Sequence, residues 1–316
     1  MNDVNEKKLA KPLAWIDAVL PFQLEGSALR GRFVRLGGSI DTILRQHDYP
    51  LPVARLLAEM TALAAALGTA MKYEGVFTIQ TKTDGAVRMM VADVTSDGAV
   101  RAYAQFDEAA VAEASAKEGG SLLGRGHLVL TLDQKLGEER YQGVVQVEGD
   151  DLTQAFQLYF KQSEQIPTGL VVAAHRDEAG VWQAGCLMIQ RMPREGGLAV
   201  MPATDTAIED DWLRAMALMQ TCSPDELTDP SLAAPDLLFR LFHEEGVRVY
   251  EPLALRHECR CSRDKIAGVL EGMPPDELKA MAQDEGHIAA TCQFCSKTYR
   301  FGVDELAAPE PVQPSA

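Results

Sequence analysis

The chain has 316 residues, 47% hydrophobic and 24% charged, which is enough apolar content for buried cores in two or three domains. Lys and Arg number 30 against 46 Asp and Glu, and the resulting formal charge of −16 repels phosphate backbones and argues against general nucleic-acid binding. The first residues, MNDVNEKKLAKPLAWIDAVL, mix both charge signs and lack the apolar core and cleavage site of a secretory signal. The most apolar run, MTALAAALGTAM at 60–71, is bounded by Glu59 and Lys72 and is too short for a bilayer span. Together these features predict a cytoplasmic protein with no membrane partner, in a compartment where thiols stay reduced.

In chain order, RGRFVRL (30–36) reads as a strand, and Ser39 is placed to cap a short helix, IDTILRQH (40–47). Pro52 opens a long apolar helix to about Met71, at a position where its missing N–H does no harm. VFTIQT (76–81), AVRMMVADV (86–94) and AVRAYAQF (99–106) are separated by Asp84-Gly85 and Asp97-Gly98, so they predict an antiparallel meander. GHLVLTL (126–132) and YQGVVQVEG (141–149) form a further strand pair. A helix then runs from about Asp151 to Gln165, with Leu152, Ala155, Phe156, Tyr159 and Phe160 on one face. GLVVAAH and VWQAGCLMIQ complete the sheet-forming segments near residue 190.

At RMPREGGLAVMPATDT the texture turns to Pro, Gly and small polar residues, which marks a boundary. Beyond it Ile208, Trp212, Met216 and Met219 recur at helical spacing. Ser223-Pro224-Asp225-Glu226 has the form of a capping box, and PDLLFRLFHEEG is an amphipathic helix ending at Gly246. The expected fold class is α+β: an N-terminal antiparallel-sheet domain with packed helices (1–195), a helical linker region (196–250), a small C-terminal four-cysteine zinc domain (251–306) and a disordered tail (307–316).

Four of the six cysteines cluster near the C-terminus. Cys259 and Cys261 are separated only by Arg260; thirty residues then intervene before Cys292-Gln-Phe-Cys295. Two residues of extended chain span about 7 Å, so a Cys259–Cys261 bridge needs a bent, strained backbone, and strained bridges are the easily reduced ones. As permanent staples these cysteines are poor. Four thiolates in two close pairs are instead the donor set of a tetrahedral zinc site. The spacer exceeds that of common zinc ribbons, yet the longer loop costs only ~0.5 kcal/mol more to close, against about 10–16 kcal/mol from zinc binding. It also carries its own helices: Ser262 caps one bearing Ile266, Val269 and Leu270, and Pro274-Pro275 starts another with Leu278 and Met281. HIAAT and SKTYRF flank the second pair as strands, which puts the C-x-x-C at a hairpin tip.

By spacing alone the site reads either as a permanent clip that lets a small domain fold or as a redox switch; most zinc sites with four cysteine ligands are structural. Four thiolates leave no open position for a catalytic water. His257 and His287 stand near enough to compete as ligands but read better as solvated or capping residues. Cys186 lies in an apolar strand as a small core residue, and Cys222 is given no role.

With these residues in hand, the chain resembles the redox-regulated heat-shock chaperonin family of thirty-three kilodaltons, found in the bacterial cytosol. The resemblance rests on C-x-C, about thirty residues, then C-x-x-C, on HEEGVRVYEP upstream, and on ERYQGVVQVEGDDL, YFKQSEQIPTGL and AGCLMIQRMP in the N-terminal part. It covers residues 25 to 305. Cys186 is a departure, standing where the family usually has a second glycine, and it adds a thiol open to stray bridging.

The resemblance implies an ATP-independent holding chaperone, not an enzyme, that binds unfolding proteins and prevents their aggregation under oxidative stress. In the reduced, inactive form one Zn2+ is held by Cys259, Cys261, Cys292 and Cys295. In the oxidised form the bridges are Cys259–Cys261 and Cys292–Cys295, zinc is released and the protein is a homodimer. Loss of the metal then unfolds the terminal domain and loosens the linker, exposing to clients the faces that carry Trp212, Met216, Met219, Leu237, Leu238, Leu241 and Phe242. Two rival readings are a static zinc ribbon, serving interaction or nucleic-acid binding, and a thiol-disulfide oxidoreductase using Cys292 and Cys295. The net charge weighs against nucleic acid, and C-Q-F-C lacks the helix N-terminus of a thioredoxin-like site.

Overall fold

Two short antiparallel strands, β1 (Ala18–Leu24) and β2 (Leu29–Leu36), begin the fold in a computed structural model that describes residues 15–27, 29–134, 140–192, 205–282 and 286–306. Helix α1 (Gly38–Arg45) follows, and its N-terminus is not capped by Ser39, which lies buried inside the helix. The carboxylate of Asp17 accepts from the N–H groups of Gly37 (3.0 Å) and Ser39 (3.1 Å) instead. An anion brought in from the start of β1 satisfies the orphan donors better than a local hydroxyl does.

Helix α2 (Leu51–Gly68) has Pro52 in its first turn and buries fourteen of its 18 residues. It is longer than the run at 60–71: with a mean hydropathy of 1.4 over 18 residues it has the length and composition of a membrane span, but 78% of it is buried within the protein. It is the core helix.

Strands β3 (Gly75–Thr83), β4 (Val87–Thr95) and β5 (Ala99–Phe106) form the expected antiparallel meander. Gly98 is obligatory at its second turn, because φ is +88° and a Cβ there would lie 2.1 Å from the Ala254 carbonyl oxygen. Helix α3 (Glu108–Ala116), capped by Asp107, carries a single buried residue, Val111, and so leaves no apolar stripe to read. Strands β6 (Arg125–Gln134) and β7 (Tyr141–Glu148) pair as expected. Helix α4 (Leu152–Tyr159), capped by Asp151, passes into a π turn over Phe160–Glu164 that ends at Gln165 with φ +55°.

Strands β8 (Thr168–Arg176) and β9 (Trp182–Arg191) precede α5 (Asp205–Met219), α6 (Pro224–Thr228) and α7 (Ala234–Phe242). The capping box at Ser223 and Glu226 is present in both directions. Short strands β10 (Val247–Val249), β11 (Leu253–Ala254) and β12 (Arg256–His257) follow. The rest comprises α8 (Arg263–Glu271), α9 (Pro275–Met281), β13 (His287–Thr291), β14 (Thr298–Gly302) and α10 (Val303–Leu306). The N-terminal lead to residue 14, the boundary at 193–204 and the tail from 307 lie outside the described residues.

The chain divides into two compact units, one up to His257 and one from Glu258. The class is α+β with antiparallel sheets. In the first unit one sheet has the order β10-β1-β2-β9-β8, with β11 also on β1; the other has the order β12-β5-β4-β3-β6-β7, antiparallel except where β12 joins β5 in parallel. α2 packs against strands of both sheets, and its apolar side chains form one core with Val34, Leu36, Ile79, Met90, Leu128 and Met188. The opposite face of the first sheet, with Leu20, Phe22, Leu24, Leu29, Phe33 and Ile189, is covered by a second core drawn from α5, α6 and α7. These helices bury their apolar stripes in the ordinary way of surface helices.

One buried charge ties this second layer down. Arg35 on β2 is wholly buried, and its guanidinium donates to the carbonyl oxygens of Leu227 (3.2 Å), Glu226 (3.1 Å) and Leu232. Burial brings its pKa down to about 10, so it remains charged at neutral pH. Arg35→Met keeps the bulk of the side chain but strands three carbonyls. It should destabilise the first unit by about 2–4 kcal/mol in urea unfolding followed by tryptophan fluorescence.

Candidate metal centre

The second unit is built around the β13–β14 hairpin, in register from Thr291 opposite Thr298 to His287 opposite Gly302. Its tip is Cys292-Gln-Phe-Cys-Ser-Lys, as the flanking β-rich runs predict. The tip is closed by Cys292 N–H to Lys297 O (3.0 Å) and Ser296 N–H to Cys292 O (2.8 Å), with Ser296 at φ +55°. Cys259 and Cys261 arrive just before α8, whose N-terminus is capped by the Ser262 hydroxyl accepting from Lys265 N–H. Arg263 holds α8 against the hairpin: it donates to Arg300 O and to Glu305, both at 2.7 Å, and lies 4.4 Å over the Phe301 ring.

The core of this unit is small. It comprises Leu270, Leu278, Ala282, Ile288, Tyr299, Phe301 and Leu306, with Ile266 partly buried beside them. Val269 and Met281, expected on the inner helix faces, are 71% and 49% exposed, so the helices contribute less than their sequences suggest. Short helices of two turns cannot wrap a wider face around a two-stranded hairpin, and so small a core rarely sustains a fold without a staple.

The four sulfurs converge. All four Sγ atoms lie within 4.8 Å of one another; Cys259 and Cys292 are 3.7 Å apart, and Cys261 and Cys295 are 3.4 Å apart. A tetrahedral zinc with Zn–S near 2.3 Å sets sulfur–sulfur edges at about 3.8 Å, so the donor set and its spacing fit zinc. The sulfurs are too far apart to be bonded, and all six cysteines are free thiols. Neither His257 nor His287 joins the cluster: His257 belongs to the first unit, with Nε2 3.4 Å from the Gln46 amide nitrogen.

Electrostatics sets what the cluster needs. Burial pushes up the thiols of Cys259 and Cys295, the latter to about 12. Burial also raises Cys261, but hydrogen bonds from Tyr299 and the three neighbouring sulfurs outweigh it and bring that thiol to about 7. Tyr299 Oη lies 3.3 Å from Cys261 Sγ, a partner that sequence reading missed although the alternation of Tyr299 with Phe301 places it on the inner face of β14. Without a cation the buried thiols of Cys259 and Cys295 keep their protons at neutral pH. A dication bonded to four sulfurs makes thiolates of them all, the form that oxidants attack.

The remaining cysteines lie elsewhere. Cys186 is fully buried on β9 opposite Val34 and Val172, and burial pushes its thiol far up, so it is inert and shielded from stray bridging. Cys222, also buried, is raised to about 11. Of the residues expected to meet clients, Met219, Leu237, Leu238, Leu241 and Phe242 are buried in the core over the first sheet, and Trp212 and Met216 are half-buried against it. Phe242 stacks on Phe22 with ring centroids 6.1 Å apart. The side chain of Ile208 lies outside the described residues.

A family model described as Hsp33 protein matches residues 17–302. The chain belongs to the Hsp33 family. Its sequence is 41% identical over 295 residues to a 33 kDa chaperonin of Caulobacter vibrioides, covering 90% of this chain and 94% of that one. It is 35% identical over 297 residues to a 33 kDa chaperonin of Cronobacter sakazakii, covering 93% and 95%. The crystal structure of a 33 kDa chaperonin from Thermotoga maritima superposes with a TM-score of 0.74 over 92% of this chain and 96% of that one, at 21% identity, which establishes the Hsp33 fold.

Because Cys259 and Cys295 are protonated at neutral pH in the metal-free cluster, zinc loading at pH 7 should release roughly two to four protons per ion. Zinc affinity should therefore fall as pH falls below the thiol range. Calorimetry in buffers of different ionisation enthalpy measures both; proton-neutral loading contradicts the four-sulfur site.

Proposed function

We propose that this protein is a holding chaperone switched by the oxidation of its four clustered cysteines. The observation that carries the reading is the convergence of four sulfurs to within 4.8 Å in a unit whose own core is small. Family membership and the names of the relatives support chaperone action on unfolded proteins. The resident ion is Zn2+, which supplies the folding energy of the second unit when bound. The reduced, zinc-loaded form is inactive; the protein resides in the cytoplasm, without nucleic acid or membrane as partner.

Each bridge forms when two thiolates give up two electrons to an oxidant; with hydrogen peroxide, one peroxide is reduced to two waters per bridge. A disulfide sulfur carries no charge to hold a dication, so oxidation removes the ligands of the metal. The binding free energy lost, about 10–16 kcal/mol for a structural site, is comparable with the stability of a whole domain. The second unit unfolds, the helices α5–α7 loosen, and Met219, Leu237, Leu238, Leu241 and Phe242, together with the sheet face under them, become available to clients. Exposed Phe239 and Leu213 already sit at the rim of this layer. The oxidised form associates as a homodimer.

Suppression of aggregation of a chemically denatured test protein, with zinc release followed in parallel, checks the switch. Activity should rise at least tenfold on peroxide treatment, in step with the loss of one zinc per chain, and hydrogen exchange in α5–α7 should accelerate. Equal activity before and after oxidation refutes it, and insulin reduction by the dithiol form would favour an oxidoreductase.

The pairing follows the family resemblance: Cys259–Cys261 and Cys292–Cys295. Since the C-x-x-C has one more spacer residue, Cys292–Cys295 should form first. Peptide mapping over a peroxide time course reads the order; early accumulation of the C-R-C bridge, or of cross-links such as Cys259–Cys292, contradicts it.

A further inference from the structure

Past the C-terminal end of α2, the space between the two sheets of the first unit is not filled by side chains. A cavity of about 190 Å3 lies there, walled by Leu67, Phe77, Leu130, Leu132, Phe160 and Met188. Its position follows from the strand pattern. Val34 and Leu36 on β2 belong to the core shared with α2, so Arg32 and Arg30, at the same parity, carry that inner face out beyond the last turn of the helix. An apolar interior thus opens at a mouth bearing two guanidinium groups.

The polar groups at this mouth are unevenly satisfied. Glu164, the acidic residue of the lining, is engaged: both Tyr141 (2.5 Å) and Tyr159 (2.6 Å) donate to its carboxylate. Two features build that arrangement. The π turn after α4 carries Glu164, and Gly143 leaves room for the Tyr159 ring, which a Cβ would meet at 2.5 Å. π turns of this kind recur at functional sites.

Arg32 meets only carbonyl oxygens, Thr69 through Nε (3.4 Å) and Gly31 through Nη1 (2.9 Å), and its Nη2 donates to no described residue. Arg30, two positions along, forms no ion pair with a described residue. In a chain of net charge −16, two adjacent guanidiniums that ion-pair with no described carboxylate mark an anion handle.

We propose that this cavity binds a medium-chain fatty carboxylate, with its alkyl tail between the sheets and its carboxylate held by Arg32 and Arg30. The size agrees: a dry cavity of about 150 Å3 takes up benzene, so this one accommodates an alkyl chain of about eight carbons. The inner wall is mostly apolar, which disfavours a phosphate or nucleotide, and a neutral hydrocarbon leaves both guanidiniums unused.

The site lies wholly in the first unit and is tested on the reduced, zinc-loaded full chain, so its failure leaves the redox reading untouched. Octanoate, titrated below its micellar range by calorimetry, should bind saturably at one per chain, with octanol about tenfold weaker. Arg32→Met and the more exposed Arg30→Met should each weaken octanoate several-fold, and Ala70→Phe, which fills the mouth, should abolish binding. With methyl-13C methionine, Met71, Met188 and Met192 should shift, while Met273 and Met281 of the second unit stay fixed. Absence of saturable binding, equal affinity for octanol, or shifts spread over methionines outside the cavity would each overturn the assignment.

Discussion

The convergence of four sulfur atoms governs the second unit. A hairpin and three short helices bury only seven apolar side chains among the described residues, a core of the size that rarely holds a fold without a staple. A dication held by the four sulfurs would supply such a staple and at the same time make the sulfurs nucleophilic. In the proposed switch, stability and sensitivity to oxidation would therefore arise from the same bonds, so one could not be tuned without the other. The metal-free cluster illustrates the constraint: burial holds the thiols of Cys259 and Cys295 up, while hydrogen bonds from Tyr299 and the neighbouring sulfurs bring Cys261 down to about 7.

The first unit is governed differently. Its core helix is apolar enough to pass for a membrane span, and it stays in the protein because two antiparallel sheets meet it on both sides. The first of those sheets is apolar on both faces, and its outer face needs a second cover, which α5–α7 provide. Arg35 fixes that cover through carbonyl groups rather than through apolar contact alone. The layer is thus held by three directional bonds from one buried cation and by the apolar core it shares with the sheet.

Much of this was legible in the chain. The β3–β4–β5 meander followed from two Asp-Gly turns, the α6 cap from Ser-Pro-Asp-Glu, and the metal cluster from cysteine spacing, because in each case the signal is local and chemically restrictive. What escaped depended on distant partners. β1, with Pro21 inside it, pairs on one edge with the next strand, β2, but on the other with β10 and β11, far along the chain. Ser39 offered a plausible cap and lost to Asp17. Val269 and Met281 fit helical spacing but face water, because the unit is too small to supply a partner for them. Tyr299 sat in a strand already recognised; only the folded hairpin sets its hydroxyl beside a thiol. The cavity left no sequence signal at all, since it arises where α2 stops short of the sheets around it.

One short stretch reaches both sheets. Within 247–257 the chain lays β10 and β11 along the free side of β1 and then β12 along the free side of β5. Eleven residues thereby seal two rows of backbone donors and acceptors that are otherwise open templates for a foreign strand. Because this seam ends at His257, immediately before the sulfur-bearing unit, peeling it back would bare a pair of sticky sheet margins as well as greasy side chains, and so give an unfolding polypeptide main-chain pairing sites whatever its sequence.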